Sequence, residues 1–121
     1  MEGVTVLLAE DDEQVRNYIQ EFLESKGFTV LCAGDGFEAL DMAKEADGVD
    51  LLLTDLVMPG MDGKALSKKV SEIFPEAKVL YISGYIQDTD LGRSVKEGGK
   101  NFLEKPFAPL ILMERIKEVL D

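Results

Sequence analysis

Apolar residues follow two spacings along this chain. Short apolar runs, typical of strands covered on both faces, alternate with segments in which apolar residues recur every three or four positions, as in amphipathic helices. The pattern predicts strands over 4–9, 28–33, 51–54, 79–83 and 101–104. It predicts helices over 13–26, 36–46, 64–74, 88–97 and 109–120. Strands and helices in strict alternation indicate an α/β fold, with a parallel sheet covered by helices on both faces.

The ends of several predicted helices carry the expected residues. Gly27 follows the first helix, Pro75 follows the third, and Pro109 begins the last. The first helix is expected to face the core through Val15, Ile19, Phe22 and Leu23. The apolar positions of the second helix are Phe37, Ala39, Leu40 and Ala43.

Polar residues stand where four of the predicted strands end. These residues are Glu10, Asp11 and Asp12 after the first strand, Asp55 after the third, Ser83 at the end of the fourth and Lys105 after the fifth. Parallel strands bring their carboxyl ends to one edge of the sheet, where open α/β folds bind ligands. The sequence therefore predicts a cluster of acids with one hydroxyl and one lysine beside it.

Asp55 is the most informative member of this cluster. It ends a buried apolar run and is followed by a turn that contains Met58, Pro59 and Gly60. A carboxylate in that position can bind a metal or attack an electrophile. Neighbouring carboxylates favour a hard dication such as Mg²⁺, with Mn²⁺ as an alternative, and Lys105 and Ser83 would contact phosphoryl oxygens. The combination suits metal-assisted phosphoryl transfer.

Composition narrows the function. The 121 residues, 45% of them hydrophobic, fit a single domain over 1–121, which could also be a module of a longer protein. The formal charge of −11 argues against direct nucleic-acid binding, and no apolar run is long enough for membrane insertion. The chain has no histidine, which excludes catalytic groups that need one. Cys32 is the only cysteine, so a cytoplasmic location is expected.

Taken together, these residues resemble the receiver domain of two-component response regulators. The resemblance covers essentially the whole chain and rests on four motifs in order. They are the acidic pair after the first strand, Asp55 with Met-Pro-Gly-Met-Asp-Gly soon after it, a Ser after the fourth strand and Lys-Pro-Phe after the fifth. The family fold is a flavodoxin-like doubly wound sheet of five parallel strands in the order 2-1-3-4-5.

The resemblance implies a role for each matched residue. Asp55 matches the aspartate that accepts a phosphoryl group in a Mg²⁺-dependent reaction, and Lys105 matches the phosphate-contacting lysine. The bond between Lys105 and Pro106 is expected to be cis. Asp11 matches the main metal ligand, Glu10 a ligand that acts through water, and the backbone carbonyl of Val57 the third protein ligand.

The acidic pair has two registers. The strand before it, together with Val15 and Arg16 after it, favours Glu10 and Asp11, with Asp12 as the cap of the first helix. The alternative pair is Asp11 and Asp12.

The resemblance also implies a switch. Phosphorylation would draw Ser83 toward the phosphoryl group, and Phe102, at the family's aromatic switch position, would move into the vacated space. The surface affected comprises the helix over 88–97, the fifth strand and the last helix, with Gly92 loosening that helix. Bulky residues at Val57 and Tyr85 predict slow hydrolysis of the phosphoaspartate.

Partners follow from the family. The phosphodonor is expected to be a histidine kinase or a histidine phosphotransfer protein, and the switch surface would contact an output domain or a second copy. The sequence around Ser83 and around Lys105 resembles that of receivers in hybrid sensor kinases. Two rival functions remain. One is an aspartyl-phosphate phosphohydrolase, disfavoured because Val57 stands where such enzymes place a second aspartate. The other is an unphosphorylated interaction module. No turnover of a small-molecule substrate is expected.

Overall fold

A computed structural model describes residues 1–84 and 101–121 of the chain. The strands are β1 (Thr5–Ala9), β2 (Thr29–Ala33), β3 (Leu51–Asp55), β4 (Lys78–Ser83) and β5 (Phe102–Glu104). The helices are α1 (Glu13–Ser25), α2 (Gly36–Glu45), α3 (Gly63–Ile73) and α4 (Pro109–Leu120). The helix predicted over 88–97, with Gly92, and the position of Tyr85 lie outside the described residues.

The five strands form one parallel sheet in the order β2-β1-β3-β4-β5. This confirms the predicted α/β class and strand order. The register brings the ends of neighbouring strands level, with Ala9 beside Thr54 and Ser83 beside Glu104. The carboxyl ends of β1, β3, β4 and β5 therefore meet at one edge of the sheet.

Two apolar layers hold the sheet between its helices. On one face, α1 and α4 pack through buried residues such as Ile19, Leu23 and Ile116. On the other face, α2 and α3 pack through small and branched side chains such as Ala39 and Val70. The central strands have no exposed face, which explains why Leu51–Asp55 is buried along its whole length.

Aspartate side chains begin three of the helices. Asp12 accepts hydrogen bonds from the backbone N–H groups of Gln14 and Val15. Asp35 and Asp62 cap α2 and α3 in the same way. α4 instead begins with Pro109, whose missing N–H needs no partner there. Asp12 is thus the cap of α1, as expected for the register in which Glu10 and Asp11 form the acidic pair.

Phe37 does not pack into the core with the other apolar residues of α2. Its side chain is 57% exposed. It lies over Gly60, where an added Cβ would stand 2.7 Å from the Phe37 ring. Small residues, Ala39 and Ala43, carry the buried face of α2, because that helix lies close to α3 and to β1. Hydrophobic periodicity alone does not distinguish a core position from one that covers a loop.

Among the described residues, no helix is long and apolar enough to span a membrane.

Candidate functional site

Asp55 is the last residue of β3 and is buried at the carboxyl edge of the sheet. Its carboxylate shares a cleft of about 480 Å³ with seven other residues. The lining comprises Glu10, Asp11, Asp12, Val57, Ser83, Gly84 and Lys105. The structure thus brings together the predicted acids, hydroxyl and lysine from four strand ends.

Lys105 reaches into this cleft from the segment after β5. Its Nζ lies 2.6 Å from Oε1 of Glu10 and 3.3 Å from Oδ2 of Asp55. The peptide bond between Lys105 and Pro106 is cis. One cation therefore bridges two carboxylates, and its shorter contact is to Glu10.

Glu10 is completely buried, and each of its polar groups has a hydrogen-bond partner. Oε1 accepts from Lys105, and Oε2 accepts from the backbone N–H of Asp12 at 3.1 Å. Its own N–H donates to the carbonyl of Ala33 at 3.1 Å. Its carbonyl accepts from Nη1 of Arg16 at 2.9 Å. A buried carboxylate needs such partners, and Glu10 has them on every side.

Asp11 is exposed beside Glu10 and completes an acidic triplet. One carboxylate oxygen from each of Glu10, Asp11 and Asp55 lies within 4.8 Å of the others. Three hard oxygen donors at this spacing suit Mg²⁺, which uses one or two carboxylates and completes its octahedron with waters and phosphoryl oxygens. Asp11 suits a direct ligand because it faces solvent. Glu10, already paired with Lys105 and Asp12, suits contact through water.

The electrostatics of the cleft favour a proton on Asp55 when no metal is bound. The pKa of Asp55 is raised from 3.8 to about 8, first by burial and then by the negative charge of Glu10 and a hydrogen bond to it, while Lys105 opposes the rise. For Lys105, burial lowers the pKa, but the hydrogen bond to Glu10 and the two neighbouring carboxylates outweigh burial and leave it raised. Lys105 therefore keeps its positive charge, whereas Asp55 gains or loses its proton according to its surroundings.

The loop after Asp55 is anchored at both ends. Gly60 adopts a positive φ of 84° beneath the ring of Phe37, and Met58 is buried between the loop and α2. The N–H of Gly63 donates to the carbonyl of Leu56 at 2.8 Å, which closes the loop on itself. Val57 stands at the rim with its side chain 54% exposed, while Pro59 is exposed beyond it.

Phe102 lies away from the acids, on the face of the sheet that carries Ser83. It is half-buried and packs against a cluster of Leu56 and Tyr81. Tyr81 is its register partner on β4, and the Tyr81 hydroxyl lies 2.7 Å from Oγ of Ser67 on α3. Ser83 is buried at the end of β4. Phe102 and Ser83 therefore share one side of the sheet, two residues apart in register.

An apolar groove adjoins the acidic cleft through Lys105. Its walls come from α1 and from the segment between β5 and α4, and it encloses about 370 Å³. The lining residues are Gln14, Val15, Tyr18, Ile19, Lys105, Pro106 and Phe107. Tyr18 is about half exposed at this surface.

Sequence reasoning missed two sets of contacts. It used Arg16 only to choose the acidic register, although Arg16 bonds directly to the Glu10 backbone. It also placed Tyr81 only within the strand predicted over 79–83, whereas the Tyr81 hydroxyl joins β4 to α3. A basic residue one helical turn after a cap was the available signal for Arg16. No local pattern predicts the partner of Tyr81, because that contact spans 14 positions.

Comparison with known proteins agrees with this geometry. The model of the response regulator receiver domain family matches residues 6–117. The sensor kinase CckA of Brucella abortus (strain 2308) is 38% identical over 120 residues, which cover 98% of this chain and 13% of the kinase. The response regulator receiver protein CpdR of the same organism is 36% identical over 120 residues, covering 95% of each chain.

Solved structures show the same likeness. The crystal structure of the receiver domain from the hybrid histidine kinase CckA has a TM-score of 0.80 and 38% identity, and the alignment covers 97% of this chain and 99% of that one. A CheY-like response regulator receiver domain protein from Methanospirillum hungatei JF-1 has a TM-score of 0.84 and 29% identity, with 98% and 94% coverage. The match over residues 6–117 and the strand order agree. This chain belongs to the response regulator receiver domain family of two-component systems.

Proposed function

We propose that this chain is a phosphoacceptor, in which Asp55 takes a phosphoryl group from a phosphohistidine of a partner protein. The observation that carries the proposal is the single cleft in which Asp55 meets Glu10, Asp11 and Lys105. A carboxylate oxygen of Asp55 attacks phosphorus, the P–N bond to histidine breaks, and the electron pair of that bond returns to the imidazole nitrogen. The product is an aspartyl phosphate, and no proton has to leave the nucleophile once Asp55 is ionised.

Mg²⁺ bound by the acidic triplet supplies positive charge to the phosphoryl oxygens and favours the ionised form of Asp55. The direct ligands we assign are Asp11, Asp55 and the backbone carbonyl of Val57, with Glu10 acting through water. Mn²⁺ prefers the same oxygen donors. The hydroxyl of Ser83 would donate a hydrogen bond to one phosphoryl oxygen.

Lys105 neutralises a second phosphoryl oxygen. Its Nζ already lies within 3.3 Å of Asp55 and is held by Glu10. A phosphoryl group on Asp55 brings further negative charge to the same place, so Lys105 exchanges its contact with Asp55 for a phosphoryl oxygen. Glu10 keeps the ammonium in reach throughout.

The partner we propose is a histidine kinase or a histidine phosphotransfer protein. The apolar groove between α1 and the segment 105–107 borders the acidic cleft, so a helix seated there would present a histidine to Asp55. Tyr18 and Phe107 would supply the apolar contact. We place the exchange in the cytoplasm, in a single domain over 1–121.

Signalling would follow from the face that carries Ser83 and Phe102. A shift of Ser83 toward the phosphoryl group frees volume beside Tyr81, and Phe102 occupies it, so the phosphorylated population favours a different outer surface. That surface would contact an output domain or a second copy of the chain. The part of it over 88–97 lies outside the described residues.

The test uses a small-molecule phosphodonor. Incubation with Mg²⁺ and acetyl phosphate, followed by intact-mass analysis, is expected to show one phosphoryl adduct on the wild-type chain. Asp55→Asn should show none, whereas Asp41→Asn, an exposed aspartate on α2, should show the same adduct as wild type. Chelation of Mg²⁺ should abolish the reaction.

The same experiment separates the rival functions. Rapid release of inorganic phosphate with continuous turnover would indicate a phosphohydrolase, and no adduct at all would indicate an interaction module. We expect a persistent adduct, because the Val57 side chain at the cleft has no polar group to orient an attacking water.

A further inference from the structure

Arg16 holds the backbone of the acidic segment in place. It lies on α1, one turn beyond the Asp12 cap, and its Nη1 donates to the carbonyl of Glu10 at 2.9 Å. Because Arg16 bonds to a main-chain atom, it fixes the path of the backbone after β1.

The surroundings show that this contact is built into the fold. A Cβ added at Gly34 would stand 3.3 Å from Nη1 of Arg16, so the glycine leaves room for the guanidinium. The N–H of Glu10 donates to the carbonyl of Ala33, the residue before that glycine. Both sides of the Glu10 residue are thus fixed, one by the end of β2 and the other by α1.

We propose that Arg16 is a positioning residue for the Mg²⁺ site, an inference that rests on the proposed function. Glu10 and Asp11 are consecutive, so the orientation of the Glu10 carbonyl sets the direction in which Asp11 leaves the strand. With that carbonyl held by Arg16, the Glu10 carboxylate turns toward Lys105 and the Asp11 carboxylate turns toward Asp55. Loss of the bond lets the segment after β1 rotate and separates the three oxygen donors.

Charge and geometry predict opposite results at this position. Removal of a positive charge near three carboxylates strengthens the attraction of the site for a cation. Removal of a positioning contact weakens metal binding instead, typically by about 10- to 100-fold for groups that orient ligands. The sign of the change in Mg²⁺ affinity therefore identifies the role of Arg16.

Isothermal titration of the metal-free protein with Mg²⁺ alone tests this. Arg16→Met keeps the length of the apolar stem and removes the donors, and its dissociation constant should rise by about tenfold or more. Arg16→Lys restores a donor and the charge and should return the dissociation constant most of the way to that of wild type.

Arg115→Met is the matched control. Arg115 also donates from Nη1 to a backbone carbonyl, that of Phe102, on a different strand from the acids. Its loss should leave Mg²⁺ affinity unchanged. Unfolding curves of all variants establish that they are folded, and Arg16→Gln, neutral and too short to reach, replaces the methionine variant if that one does not fold.

A dissociation constant for Arg16→Met, or for its glutamine substitute, equal to or below that of wild type would overturn the proposal. A dissociation constant for Arg16→Lys as high as that of Arg16→Met would also overturn the proposal. If the wild-type chain itself bound no Mg²⁺, the proposed function would fail before the question of Arg16 arose.

Discussion

Glu10 and Asp55 share one cation, Lys105, and this sharing affects the charge of Asp55. Lys105 lies 2.6 Å from Glu10 and 3.3 Å from Asp55, so its stronger pairing is with Glu10. Asp55 is left partly uncompensated in a buried place beside a second carboxylate. Its raised pKa, about 8, follows from that burial and from Glu10. A carboxyl with this pKa holds its proton below about pH 8, and under the proposed function a bound metal would displace that proton.

A change at Glu10 should therefore be measured at Asp55. Glu10→Gln removes the charge that disfavours ionisation and releases Lys105 to pair with Asp55, so the pKa of Asp55 should fall from about 8 toward its ordinary value. The measurement is a ¹³C NMR titration of the aspartate carboxyl groups in metal-free protein, with Asp55→Asn used to assign the signal.

Glu13→Gln is the control for this titration. Glu13 is exposed on the first turn of α1, so its neutralisation should leave the Asp55 midpoint unchanged. A midpoint that stays near 8 in Glu10→Gln would contradict the proposed coupling.

The sequence predicted the membership of the site well and its internal pairing poorly. Residues at the ends of parallel strands have to meet, so Asp55, Lys105 and the acidic pair could be named from strand positions alone. Whether Glu10 or Asp12 formed the acidic pair with Asp11 depended on which residue capped α1, and the side chain that caps α1 is that of Asp12. The preference of Lys105 for Glu10 is the difference between distances of 2.6 and 3.3 Å, which no sequence pattern encodes.

At the scale of elements, close approach of β3 to α3 sets the position of the loop that follows Asp55. Gly63 begins α3, and a Cβ added there would stand 2.4 Å from the backbone carbonyl oxygen of Asp55 and 3.0 Å from Cα of Leu56. Both neighbours are main-chain atoms that cannot turn aside. The helix and the strand end can be this close only because residue 63 has no side chain.

Gly63→Ala should consequently lower the free energy of unfolding. Forcing a methyl group against backbone in a packed site costs about 1–3 kcal/mol. Urea unfolding of wild type and variant, compared at equal slope, measures the change. Mg²⁺ affinity should also fall where the strand end yields, because the two residues that the methyl group meets are Asp55 and Leu56.

Gly48→Ala provides the comparison, since an added Cβ there meets no atom within 4 Å. Its effect should lie within about 0.5 kcal/mol, as for an ordinary surface substitution. Equal midpoints for the two alanine variants would refute the argument from close approach.

The bounds of the described elements agree with the hydrophobic pattern to within one residue, because caps such as Asp12 and Asp62 mark helix starts locally. The hydrophobic pattern did not predict the direction of the Phe37 side chain. A large apolar residue in a helix usually faces the core, but α2 packs closely through Ala39 and Ala43, and Phe37 is left to cover Gly60. The contact depends on the path of a distant loop, which periodicity does not contain.

At the scale of the whole molecule, the sheet gathers negative charge at one edge in a chain that already carries a formal charge of −11. Folding brings a carboxylate oxygen of Asp55 within 4.8 Å of those of the consecutive acids Glu10 and Asp11, from which the unfolded chain keeps Asp55 apart. The fold therefore has a local electrostatic cost that either a proton or a dication relieves. Under the proposed function, protonation and metal binding would compete for the carboxylate of Asp55.

This competition predicts that Asp55 makes the fold less stable as the pH rises when no metal is present. The stabilisation by bound Mg²⁺ should instead grow as the pH rises. Without metal, the folded pKa of Asp55 is about 8 against 3.8 as the ordinary value, so the folded chain holds a proton that the unfolded chain has lost. The stability from that proton is fully present below 3.8 and disappears as the pH rises through about 8. In chelator, the unfolding free energy of wild type minus that of Asp55→Asn should fall across this range.

With Mg²⁺ in excess, the gain in stability grows with the ratio of free metal to its dissociation constant. Mg²⁺ binds ionised Asp55, so the gain should increase with pH up to about 8 and then level off. Urea unfolding at a series of pH values, with chelator and with Mg²⁺, measures both curves. Should the metal's stabilisation be the same at every pH, Asp55 would not be exchanging a proton for the ion, and its carboxylate would not be a metal ligand.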